Sequence, residues 1–266
     1  MVNTLVSITF DDGYEITIRN VIPILREYNI RATFFIIASK VGEIFENFKI
    51  ADWSIWKDLA CQGMEIGSHS LTHTTPSEPL SRKFIRILSL IKYSEPREQI
   101  NIIRNEVTRS IRRVREFVDI YSEIIKSKSI IERNIGTKVY SYSYPGGIVS
   151  SSLKEALRNA GYILARSSTR GYNVWNRIDL YELKSMVWTK YTTASIANRW
   201  VDEAVKKGAW LIETLHIVLS LQGNTKPIRN IYVSSIEELI KHLDYIKSIG
   251  IPTVTLVEGA KIISAS

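Results

Sequence analysis

The chain has 266 residues, 45% of them hydrophobic and 23% charged, with a net charge of +8 and a single cysteine, Cys61. That length suits one large α/β domain or two small ones, and the composition is that of a globular protein. One cysteine excludes an internal disulfide and a thiolate metal cluster, and no apolar run reaches the roughly 20 residues of a transmembrane helix.

Taken in chain order, short apolar runs alternate with amphipathic stretches. Strands are expected at Leu5–Phe10, Thr33–Ile37, Glu65–Gly67, Val139–Ser143, Ile163–Ala165, Lys184–Val187, Ala209–Leu215 and Thr253–Val257. Helices are expected at Ile16–Tyr28, Trp53–Gln62, within Pro96–Asn134, and at Ser151–Ala160, Thr193–Lys207 and Ser235–Ile249. Gly208 and Gly250 each stand between a helical pattern and the next apolar run, where a helix end favours a left-handed residue. Strands alternating with helices imply a parallel sheet covered on both faces, as a barrel or an open doubly wound sheet. In either form, chemistry gathers at the C-terminal ends of the strands. The start, Met1-Val2-Asn3-Thr4, lacks a basic region followed by a long apolar core, so a cytoplasmic location is expected.

The chemical residues fall at those ends. The first strand closes in Asp11-Asp12-Gly13, two adjacent carboxylates that either need compensation or cap the following helix. The third expected strand runs into Ser68-His69-Ser70-Leu71-Thr72-His73, and two imidazoles with three residues between them can reach one point, a metal-ligand spacing. His216 follows Ala209–Leu215, while His242 is expected at the surface or rim of its helix. Cys61 reads as a small buried apolar residue. The six tryptophans are mainly core candidates, with Trp175 and Trp188 also candidates to line a sugar or acetyl pocket.

These segments resemble the polysaccharide deacetylase family, carbohydrate esterase family four, which includes chitin and peptidoglycan deacetylases. Thr9-Phe10-Asp11-Asp12-Gly13 is similar to its first motif and His69-Ser70-Leu71-Thr72-His73 to its second. Tyr142-Ser143-Tyr144-Pro145-Gly146-Gly147 resembles the third and Leu215-His216 the last. The resemblance implies a distorted, incomplete (β/α) barrel of about seven parallel strands, as a single catalytic domain over residues 1–266. It implies a divalent ion, most often zinc, on Asp12, His69 and His73, with Asp11 as general base and His216 as general acid. Pro145 and Gly146 would shape the substrate and oxyanion pocket, the Gly146 N–H being the donor that a proline cannot supply. The substrate implied is an N-acetylated amino sugar or oligosaccharide. Hydrolysis of another amide, such as a cyclic one, and non-catalytic carbohydrate binding on the same fold are the alternatives.

Two departures stand out. Many family members carry an arginine where this chain has Ser143, and the arginine of the fourth motif is replaced by Leu183-Lys184-Ser185. Asp179, near Arg177, is the candidate to orient His216. Residues 77–122 form an insertion expected to be basic and helical. Between residues 78 and 119 lie 10 basic and 6 acidic side chains, an excess of 4 out of the chain's +8. It reads either as a solvated elaboration or as a docking surface for an anionic partner or a second subunit, and sparse aromatics argue against single-stranded nucleic acid.

Overall fold

The computed structural model describes residues 4–74, 120–222 and 230–265. Nearly all of the 77–122 insertion lies outside the described residues. Twelve strands are present among them: β1 (Leu5–Phe10), β2 (Thr33–Ile36), β3 (Ile44–Phe45), β4 (Phe48–Lys49), β5 (Glu65–Ser68), β6 (Ser141–Ser143), β7 (Leu164–Arg170), β8 (Asn173–Val174), β9 (Leu183–Val187), β10 (Ala209–Leu215), β11 (Ile217–Leu219) and β12 (Val233–Ser235). The α-helices are α1 (Glu15–Glu27), α2 (Trp53–Cys61), α3 (Ile120–Ile135), α4 (Ser151–Asn159), α5 (Ala194–Lys207), α6 (Ile236–Ile249) and α7 (Leu256–Ser264).

Strands β1-β2-β5-β6-β7-β9-β10 form a parallel ring, closed because β1 pairs with β10 as well as β2. This is the expected (β/α) barrel, one strand short of the eight-stranded form. The seam between β5 and β6 is narrow, a single register pair of Ser68 with Tyr142. All six residues of β1 and all seven of β10 are buried, as strands with barrel interior on one face and helices on the other must be. Leu5, Phe35, Leu164, Leu183, Trp210 and Ile212 pack together, most of them from the first residues of their strands. That leaves the C-terminal ends free for polar side chains.

The helices stop and start where capping chemistry dictates. Gly208 and Gly250 end α5 and α6 with φ of 53° and 69°, where a Cβ would be strained. The expected strand at Thr253–Val257 does not form. Thr253 makes one parallel bridge to Val6, and Thr255 with Glu258 then builds a capping box that starts α7. The β-branched run read as a strand, yet its Thr-x-x-Glu spacing is a helix start. Cys61 is exposed at the end of α2 rather than buried. His242, expected at the surface, is fully buried: it lies on the inner face of α6 with Leu239, Leu243 and Ile246. No helix among the described residues is long and apolar enough to cross a membrane.

Candidate active site

Asp11 and Asp12 follow β1, His69 and His73 follow β5, and His216 follows β10, so three strand ends deliver five polar side chains to one rim. Asp11, Asp12 and His69 are buried, and His73 and His216 are partly exposed. Asp12 Oδ1 lies 3.5 Å from His69 Nε2 and 3.5 Å from His73 Nε2. Asp11 Oδ2 lies 3.8 Å from both His69 Nε2 and His216 Nε2.

The backbone is bent to bring these groups together. Asp12, Ser70 and His73 adopt left-handed φ of 69°, 66° and 63°. Such a conformation costs an L-residue about 1–3 kcal/mol and persists where the surroundings impose it. Glu123 of α3 supplies part of that constraint. Its Oε2 accepts from the backbone N–H of Leu71 at 3.0 Å and of Thr72 at 2.9 Å, and its Oε1 accepts from Thr72 Oγ1 at 2.9 Å. On the other side, Phe45 of the β3–β4 hairpin packs edge-on against His73.

The donor set fits a divalent cation. His69 Nδ1 is 2.9 Å from the Ser143 carbonyl, which can only accept, so the proton of the neutral ring sits on Nδ1 and the Nε2 lone pair faces Asp12. Burial first, and then the neighbouring His73, depress the His69 pKa to about 3 against the pull of Asp11, so the ring is neutral at ordinary pH. Asp12 Oδ1 is buried without a hydrogen-bond partner among the described residues. Asp12 Oδ1 and His69 Nε2 thus face one point, with His73 Nε2 beside them. Tetrahedral coordination at roughly 2.0–2.1 Å separates ligand atoms by roughly 3.3–3.4 Å, close to the two 3.5 Å spacings. Burial and the adjacent Asp11 push the Asp12 pKa well above the carboxylate range, so its charged form is disfavoured until a cation sits against it. Asp12, His69 and His73 could hold that ion, leaving one corner of a tetrahedron open.

Asp11 has a partner that the sequence motifs did not reveal. Arg166 of β7 is fully buried, and its Nη2 donates to Asp11 Oδ2 and to Ser143 Oγ. Ser143 and Arg166 are register partners on β6 and β7. The small serine therefore leaves room for a guanidinium from the neighbouring strand to occupy the space expected of an arginine at 143. Burial raises the Asp11 pKa, but Arg166, His69 and His216 together bring it down to about 2. Asp11 is thereby held ionised, with Oδ2 taken up by Arg166 and Oδ1 unpartnered among the described residues.

Other sequence expectations fare less well. Asp179 accepts from Lys154 Nζ at 2.7 Å and Tyr181 N at 2.8 Å, while His216 Nδ1 is buried with no partner among the described residues, so Asp179 does not orient it. Trp188 lines no pocket: it is fully buried and donates Nε1 to Glu213 Oε2 at 2.8 Å, the same carboxylate that His242 Nε2 meets at 3.0 Å. Trp175 packs with the Leu5–Trp210 cluster, away from the strand ends. Pro145 is buried, and the exposed Gly146 follows it in a left-handed turn, φ 61°.

A closed parallel barrel with carboxylates and imidazoles gathered at its C-terminal rim has the layout of a barrel enzyme. The chain belongs to the polysaccharide deacetylase family, whose model, described as "Polysaccharide deacetylase", matches residues 2–165. Over 68 residues it is 34% identical to YxkH of Bacillus subtilis (strain 168), which bears the same family's name; the match spans 26% of this chain and 23% of that protein. Among solved structures, it is similar to a family 4 acetyl xylan esterase from Clostridium thermocellum in complex with a cobalt ion, at 22% identity and TM-score 0.50, covering 96% of this chain and 89% of that one. It is also similar to the Bc1960 peptidoglycan N-acetylglucosamine deacetylase, at 20% identity and TM-score 0.51, covering 96% and 91%. At these identities the structural likeness speaks for the fold alone.

Proposed function

We propose that this protein is a zinc-dependent hydrolase that removes acetyl groups from an N-acetylated amino sugar or oligosaccharide. The observation that carries the reading is a carboxylate and an imidazole, Asp11 and His216, standing beside a three-donor cation site. When bound at Asp12, His69 and His73, a zinc ion would acidify water and polarise the acetyl carbonyl.

The chain's own groups supply the rest. Asp11 Oδ1, unpartnered among the described residues, takes the proton of the attacking water. The Gly146 N–H, exposed in its turn, donates to the oxyanion that forms at the acetyl carbon. His216 Nε2 gives a proton to the departing nitrogen as the C–N bond breaks, so water and amide become acetate and free amine. An amine leaves poorly without that proton, whereas an activated alcohol does not need it, so a histidine in this place favours an amide substrate. The same groups would also release acetate from an ester.

The test is acetate release from N-acetylated chitooligosaccharides together with elemental analysis. The parent should hold one zinc per chain and release acetate, and His69→Ala or His73→Ala should lose both. Equal metal content in parent and variants would overturn the ligand assignment.

A further inference from the structure

A general acid needs its ring held, and in histidine this is usually done by a hydrogen bond at the second nitrogen. His216 has none: Nδ1 is buried and unpartnered among the described residues. What touches the ring instead is Tyr232, whose ring lies 4.8 Å away, centroid to centroid, tilted by 32°.

The contact is built into the topology. Strands β11 and β12 pair in parallel with Ile217 opposite Val233, so the residues just before them, His216 and Tyr232, face each other at the same level. Ile217 N–H donates to the Tyr232 carbonyl at 3.3 Å, and Lys190 N–H donates to the Ile231 carbonyl at 2.9 Å. Thr17 Oγ1 donates to the His216 carbonyl at 2.9 Å from α1. Both backbones are thus pinned, and the two rings complete the arrangement.

We propose that Tyr232 is a positioning residue for His216, its ring face fixing the imidazole and steadying the positive charge that the imidazole carries as proton donor. The inference rests on His216 being the acid, as assigned above. An aromatic face attracts a cation more strongly than a neutral ring, so the contact strengthens in the protonated state that the reaction uses. It does by a π face what a carboxylate at Nδ1 would do by a hydrogen bond. The ring does this work, not the hydroxyl, and Tyr232 is 47% exposed, which leaves its outer edge free of structural duty.

The experiment compares Tyr232→Leu and Tyr232→Phe in the zinc-loaded full chain on two substrates. One is an N-acetylated chitooligosaccharide, whose amine must be protonated to leave. The other is 4-nitrophenyl acetate, whose leaving group departs without a proton. Tyr232→Leu should lower kcat on the amide about ten-fold, with KM unchanged. It should leave ester turnover and zinc content as in the parent, and Tyr232→Phe should behave as the parent on both substrates. Tyr232→Met repeats the comparison if the leucine variant folds poorly by circular dichroism. Equal losses on amide and ester, no loss on either, or a phenylalanine variant as impaired as the leucine one would overturn the proposal. His216→Ala separates the two levels of failure. If it spares amide turnover, the acid assignment itself falls. If it abolishes amide turnover selectively while Tyr232→Leu does not, only the positioning role falls.

Discussion

Replacing Arg166 by methionine removes the guanidinium that holds the Asp11 carboxylate and leaves apolar bulk behind. Arg166 is fully buried and Asp11 is 3% exposed, so water cannot take over the lost contact. Breaking a buried pair by deleting one partner typically costs about 3–5 kcal/mol, because the other charge stays behind uncompensated. For a chain somewhat longer than 250 residues that corresponds to a fall in melting temperature of roughly 6–20 °C. Removing the second charge as well should relieve most of the penalty, so Arg166→Met should cost far less in an Asp11→Asn background than alone. Urea unfolding of the four metal-stripped proteins, followed by tryptophan fluorescence, closes the cycle. A penalty of equal size in both backgrounds would refute the idea that the pair with Asp11 is what Arg166 is for.

Two further outcomes follow from the geometry. Glu123→Ala removes the acceptor for two backbone N–H groups in the loop that carries His73, so zinc affinity should fall about 10–100-fold while helix content is kept; competition with a chelator measures this, and unchanged affinity would contradict it. The His216 pKa is lowered to about 4, first by burial and then by Arg166 and His73 against the pull of Asp11. The unfolded chain therefore binds a proton that the folded one refuses as pH falls from about 6.5 to about 4, and the metal-free protein loses stability across that window. In His216→Gln that loss is absent, so the urea midpoint of the parent should drop relative to the variant over the same window, and a flat difference would be a refutation.

Much of this was legible from residue order. Short, mainly apolar runs such as Leu5–Phe10 and Ala209–Leu215 read as strands buried on both faces, and Asp11, Asp12 and His216 after them, with the His69-x-x-x-His73 pair after Glu65–Ser68, fell where a barrel collects chemistry. What escaped depends on pairing between strands distant in sequence. Arg166 reaches Asp11 only because β6 and β7 set it opposite Ser143, and Tyr232 reaches His216 only through the β11–β12 register. Neither register is written in a local pattern. His242 is different: Leu239, Leu243 and Ile246 at helical spacing place it on the apolar face of α6, although its neighbour Lys241 is charged. Its burial is made possible by Glu213 and by Asn198 Oδ1 at 2.7 Å from Nδ1, partners from other elements.

In the proposed hydrolytic centre, Asp11 and the cation site are separate parts. Asp11→Asn tests it most directly, measured as zinc content and acetate release on the same sample. An amide cannot accept the proton of the attacking water, and Asp11 is not among the three proposed ligands. The variant should therefore retain one zinc per chain and lose acetate release by about 100-fold or more. Full zinc with turnover close to the parent's would contradict the account.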